Sequence, residues 1–177
     1  MDQFSPHHPP HIYLDRTIYF ITGRTVGGIA FFASNGDKEI FMEVLSRACA
    51  KFPLEMIAWV LLDNHYHLLM KLAKGTDLPR FVGNLHANSA RLLNAEAGAQ
   101  KRQVWWNYWD YCIRDDGDYY RHLNYIHQNS VKHGYSTEMK DYQWSSYGSF
   151  LEKYGDEWIK DCFRQYPIID FTPQGGE

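Results

Sequence analysis

His65 and His67, separated only by Tyr66, and Tyr125 and Asn129, four residues apart, are the pairs in this chain whose types and spacing suit catalysis. In an extended strand successive side chains alternate faces, so both imidazoles project to one side and Tyr66 to the other. Two imidazoles on one face can share a divalent ion, and a hard substrate such as phosphate favours Mg²⁺ or Mn²⁺ with added oxygen ligands over a closed zinc site. On a helix, residues i and i+4 share a face, so Asn129 can offer an amide oxygen beside the Tyr125 phenol. A phenol with its free pKa of about 10 needs a cation or a base to become an effective nucleophile. Together the four residues can join a phosphate to a tyrosine and conserve the bond for a later joining step. Spacing alone does not separate Tyr125 from the rest of the 13 tyrosines, and two histidines on a partly exposed strand face would show the same pattern.

Composition narrows the partners. A formal charge of -3 excludes a simple electrostatic DNA binder, so nucleic-acid contacts must come from local grooves. Basic residues gather at Arg114, Arg121, Lys132 and His133 around Tyr125, and at Lys71, Lys74 and Arg80 after the histidine pair; Arg24 lies just past the first strand. The three cysteines, Cys49, Cys112 and Cys162, are far apart and never in a CxxC pair, which excludes a disulfide framework and a cysteine zinc site. No stretch approaches the roughly 20 apolar residues of a membrane span, and Met1 to His11 lacks an apolar signal core, so a soluble, cytoplasmic protein is expected.

The elements that must position these residues follow from periodicity. Thr17 to Thr22 is β-branched and aromatic and predicts a strand ending at Gly23. Ile40, Phe41, Val44, Leu45 and Ala48 predict a helix over 37–51, started at Asn35 or Asp37. Glu55 to Asp63 and His65 to Leu72 predict two tightly joined strands placed centrally in a sheet. Leu78, Phe81, Val82, Leu85, Ser89, Leu92 and Leu93 trace a second helix over 77–94 with Thr76 or Asp77 as its cap. Val104 to Arg114 predicts an aromatic strand, half of whose rings face the core while others, among Trp105, Trp106, Tyr108 and Trp109, can stack on unpaired bases. A third helix runs from Asp118 to a stop at Gly134, and Trp144 to Tyr154 predicts one more.

The string Trp59 to Met70 (WVLLDNHYHLLM), the aromatic strand with WDYCIRD, the helix Arg121 to Gly134 (RHLNYIHQNSVKHG) and Tyr142 to Tyr147 (YQWSSY) occur in the order and spacing of one family. From about Ile18 to Phe150 the chain resembles the REP-associated tyrosine transposases, relatives of the IS200/IS605 Y1 transposases. The resemblance implies an α+β, ferredoxin-like two-layer sandwich, an antiparallel sheet with helices packed on it. It implies that His65 and His67 are the family's metal-binding pair, that Tyr125 is its nucleophile, and that Asn129 stands where relatives complete the metal site with an amide. It further implies Mg²⁺ or Mn²⁺, a single-stranded DNA hairpin as partner, a 5'-phosphotyrosine intermediate and action as a homodimer.

The chain departs from the family pattern at Asp63, where Pro is usual and a carboxylate is brought near the metal, and at Ser130, where Pro usually follows the amide. Tyr66 is bulkier than the usual aliphatic but points away from the metal. Residues 1–15 are expected to be a Pro- and His-rich tail, 16–155 the catalytic domain and 156–177 an extension. Two other readings of the same residues stay open: a hairpin-binding module without turnover, and a hydrolase in which the histidine pair activates water with Asp63 as base. His122 and His127 share the helix of Tyr125 and are expected in structural or DNA-contacting roles.

Overall fold

The computed structural model describes residues 13–171. In chain order they form β1 (Thr17–Thr25), α1 (Asn35–Lys51), β2 (Leu54–Leu61), β3 (His65–Leu72), α2 (Leu78–Glu96), β4 (Trp105–Cys112), α3 (Asp116–Lys132), α4 (Tyr147–Tyr154) and α5 (Asp156–Gln165). The strands make one antiparallel sheet in the order β2-β3-β1-β4, the ferredoxin-like arrangement. The β2–β3 hairpin thus supplies one central strand and one edge, instead of lying wholly at the centre. Most of the N-terminal tail, and residues 172–177 of the extension, fall outside the described residues. No helix among the described residues is long and apolar enough to cross a membrane.

Strand alternation divides the core in two. Tyr19, Ile21, Tyr66, Leu68 and Met70 face α1 and α2 and pack with Phe41, Val44, Phe81 and Leu85. On the opposite face Phe20, Ala58, Val60 and Leu69 pack against Leu123, Tyr125 and Ile126 of α3. Burial of an apolar side chain such as Ile126 contributes about 1.5–3 kcal/mol, so this face is what fixes α3 and its tyrosine on the strands.

Helix ends follow local chemistry. The Asp115 carboxylate accepts the Asp118 N–H at 2.8 Å and starts α3 two residues before the predicted position. Ser34, one residue before α1, accepts the Asp37 N–H at 3.1 Å. Gly134, with φ of 73°, ends the α3 turn in a conformation that glycine adopts without strain. Ser130 is fully buried and α3 continues past it to Lys132.

The YQWSSY segment has a definite structural task. Leu61 donates its N–H to the Trp144 carbonyl at 3.0 Å, Ser146 donates its N–H to Trp59 O at 2.9 Å, and the Tyr142 hydroxyl donates to Leu61 O at 2.7 Å. The segment therefore covers the open edge of β2, which would otherwise expose unpaired backbone groups.

Candidate metal and nucleophile site

The β1–β3 register sets Thr22 opposite His67 and Arg24 opposite His65. Directly opposed residues share a face, so all four side chains leave the sheet toward α3. Tyr66 leaves from the other face, where its hydroxyl lies 2.9 Å from His86 Nε2. On α3, Tyr125 and Asn129 are one turn apart and both buried against that sheet face. The His67 and Tyr125 ring centroids are 5.2 Å apart, as are those of His65 and His67.

Hydrogen bonding decides what the imidazoles offer. The His65 Nδ1–H points at Asn64 Oδ1, 2.7 Å away, and because an amide oxygen only accepts, Nε2 carries the lone pair. That lone pair faces Asn129 Oδ1 at 3.3 Å, another acceptor. His67 Nδ1 is held by the Thr22 hydroxyl at 2.7 Å, while its Nε2 is buried without a hydrogen-bond partner, as is Asn129 Nδ2. Orphaned buried polar atoms cost about 1–3 kcal/mol each. Turning the amide over would satisfy His65 but orphan the oxygen. A cation bound by both Nε2 atoms and the amide oxygen gives each of these three acceptor atoms a partner, though not Asn129 Nδ2, so these residues fit a divalent metal.

Burial, followed by the nearby His133 and Arg24, pushes the His65 pKa down to about 3, and burial with His65 and His133 pushes His67 well below its ordinary value. Both are neutral at physiological pH, the form that binds metal. No group of three His, Cys, Asp or Glu able to hold a metal occurs among the described residues; the oxygen that faces His65 Nε2 is that of the Asn129 amide. Asp63 does not join it. Its carboxylate is 2.6 Å from the buried Lys38 ammonium, which removes both the extra metal ligand and the free general base considered from sequence.

The basic residues divide by position. Lys132 lies over the Tyr125 ring at 4.9 Å, with Nζ 3.5 Å from the phenol oxygen and 2.8 Å from Asp170. Burial opposes its charge, but Asp170 and the phenol outweigh that and raise its pKa. His133 packs edge-on to His65 at 5.0 Å. Arg24, Lys132 and His133 therefore lie around the pair, with Arg24 and Lys132 supplying positive charge and His133 held neutral by burial and by those two cations. Arg114 lies over the Tyr111 ring at 5.2 Å, Arg121 beside Gly117 one turn before Tyr125, and Lys71 six residues along β3 from His65, about 20 Å away at ~3.3 Å per residue.

The family described as Transposase IS200 like matches residues 30–129, more than half of the chain. The chain belongs to the IS200-like transposase family. A Haemophilus influenzae protein bearing the name REP-associated tyrosine transposase is 31% identical over 136 residues, 67% of this transposase and 74% of the relative. The Escherichia coli K12 REP-associated tyrosine transposase is 29% identical over 123 residues, 68% of each chain. A solved REP-associated tyrosine transposase bound to a REP hairpin superposes with a TM-score of 0.64 at 20% identity, covering 100% of this chain and 94% of that one, which supports the shared fold.

Three neighbours of the site were not singled out from sequence. Thr22 and Phe20 reach it only through strand pairing, the Phe20 ring stacking on His67 at 5.3 Å. Phe171 comes from the C-terminal segment, its ring 3.8 Å from His122 and 5.4 Å from Tyr125. His127 is held by Ser146 Oγ at 3.2 Å and packs on Phe150, away from the nucleophile, as a structural residue.

Proposed function

We propose that this transposase cleaves and rejoins single-stranded DNA at a hairpin, with Tyr125 as nucleophile and His65, His67 and Asn129 as ligands of Mg²⁺ or Mn²⁺. The observation that carries the reading is the convergence of the buried Nε2 atoms of His65 and His67 with the Asn129 amide oxygen beside a tyrosine ring. When bound, the cation offsets charge on the scissile phosphate and on the departing oxygen. Asn64 Oδ1 holds His65 in the tautomer that leaves Nε2 free, and the Thr22 hydroxyl, by accepting from His67 Nδ1–H, would hold the second imidazole in the same form. Lys132, beside the phenol oxygen, draws the scissile phosphate toward it, and Arg24 adds positive charge around the strand.

In the reaction the Tyr125 Oη–P bond forms as the P–O3' bond breaks. The phenolic proton leaves to solvent and the departing 3' oxygen takes one up, so the products are a 5'-phosphotyrosine and a free 3' hydroxyl. Attack by another 3' hydroxyl reverses the step and rejoins DNA. A hairpin substrate is supported by the similar protein solved with a REP hairpin. Residues 16–155 form the catalytic unit in this reading, acting in the cytoplasm.

The test is to incubate 3'-labelled hairpin DNA with the protein and either metal, then run denaturing gels. Label migrating with the native protein, absent with Tyr125→Phe or without metal, is expected. Hairpin binding that is equal in both proteins, with no covalent band, would replace the nuclease by a binding module.

A further inference from the structure

The aromatic strand β4 carries more rings than the core uses, and the structure sorts them. Trp105 and Tyr108 both pack toward α1 and α2, with Trp105 donating Nε1–H to Ser89 Oγ at 2.9 Å. Trp106 is 63% exposed. Trp109 and Tyr111 instead join Phe20, Thr22, His122 and Phe171 around a cavity of about 240 Å³, with Asp110 the one formal charge in its lining.

Two properties of this cavity point to its occupant. The walls are aromatic and packed: the His122 ring stacks on Tyr111 at 5.1 Å and on Phe171 at 3.8 Å, and Trp109 completes the lining. Its volume lies below the roughly 300–1,000 Å³ of sites for drug-sized ligands, which suits one flat ring system. The cavity also shares walls with the reaction site: Phe20 and Phe171 contact the Tyr125 ring at 6.0 and 5.4 Å, and Thr22 holds His67. A strand that presents a phosphate to Tyr125 carries its neighbouring base to this opening.

We propose that the cavity is a nucleobase subsite, in which the unpaired base next to the attacked phosphate stacks against Trp109 and Tyr111. It rests on the reading of Tyr125 as a nucleophile for single-stranded DNA. Stacking on aromatic side chains accepts any base, so the subsite positions the strand at the cleavage point without reading its sequence, leaving selection to the hairpin. The Arg114 guanidinium lies over the Tyr111 ring, 5.2 Å from its centroid, and sets one cation beside the subsite.

The test uses Tyr125→Phe protein and hairpin-bearing single strands with 2-aminopurine at each unpaired position in turn, since that base loses fluorescence when stacked. Strong quenching is expected at one position only, reversed by Trp109→Ala and untouched by Trp106→Ala. An abasic residue at that position should weaken binding about tenfold in the parent and not in the Trp109→Ala background. Tyr111→Leu serves as an independent variant should Trp109→Ala fold poorly. Quenching at no position, or quenching that survives both Trp109→Ala and Tyr111→Leu, overturns the subsite. Quenching by Trp109 without any covalent product from the native protein keeps the subsite and removes the nuclease reading; covalent product without quenching does the reverse.

Discussion

The Thr22 hydroxyl lies 2.7 Å from His67 Nδ1, because the β1–β3 register sets the two residues directly opposite each other. This contact directs the other nitrogen, Nε2, into the site. Partners that orient a ligating imidazole are typically worth 10–100-fold in metal affinity. Thr22→Val keeps the shape and removes the hydroxyl, so Mn²⁺ affinity measured by calorimetry should fall about tenfold or more, and the urea midpoint should fall by an amount matching about 1–3 kcal/mol because the buried His67 Nδ1 loses its partner. Unchanged affinity would show that His67 is oriented by packing on Phe20 alone.

Metal should also stabilise the fold measurably. Binding to the folded state alone adds about 2.7 kcal/mol at 100 times Kd. Thermal melts should therefore shift upward with Mn²⁺ in the native protein and not in His67→Ala. Asn129→Leu removes an amide whose nitrogen has no partner, so without metal it should be close to neutral in stability, yet lose the metal-dependent shift. Strong destabilisation of metal-free Asn129→Leu would mean that the amide is satisfied in solution.

Gly23 and Tyr66 are tested by packing. A Cβ at position 23 would fall 2.3 Å from Tyr66 Cε1, since the ring lies across the glycine on the α1–α2 side of the sheet. Gly23→Ala should cost about 1–3 kcal/mol in urea denaturation. In the Tyr66→Leu background the same substitution should cost clearly less; equal costs in both backgrounds would place the strain elsewhere.

Acid should unfold this protein through its buried histidines. Burial pushes the His127 pKa down to about 3, whereas the unfolded imidazole titrates near 6.5. Between those values the unfolded chain binds the extra proton, so stability is full above about pH 6.5 and falls as pH drops, by at most ~1.4 kcal/mol per unit for this residue. His127→Gln should flatten the dependence of the urea midpoint on pH between 6.5 and 5. An unchanged slope would assign the effect to other groups.

Much of the site could be read from residue order because it rests on two local periodicities. Alternation in β3 separated His65 and His67 from Tyr66, and helical spacing aligned Tyr125 with Asn129. What depends on pairing between distant segments was not legible. Thr22 acquires its role only from register, and Asp63 is withdrawn by Lys38, 25 residues away in sequence. The aromatic strand misled strict alternation because a register irregularity opposite Gly23–Thr25 puts an extra residue between Trp105 and Tyr108, turning both toward one core. The helix α5 had a readable signal, Trp158, Ile159 and Cys162 at helical spacing after the acidic Asp156–Glu157, whereas the placement of Phe171 beyond it had none.

The most direct test of the central claim is to identify the amino acid that carries the DNA. Native protein is incubated with hairpin-bearing single-stranded DNA and Mn²⁺, digested with protease and nuclease, and mapped by mass spectrometry. A nucleotide linked through a 5' phosphate to the peptide at Tyr125 is the predicted result. A nucleotide on any other tyrosine, or cleaved DNA with a free 5' phosphate and no modified peptide, would contradict it.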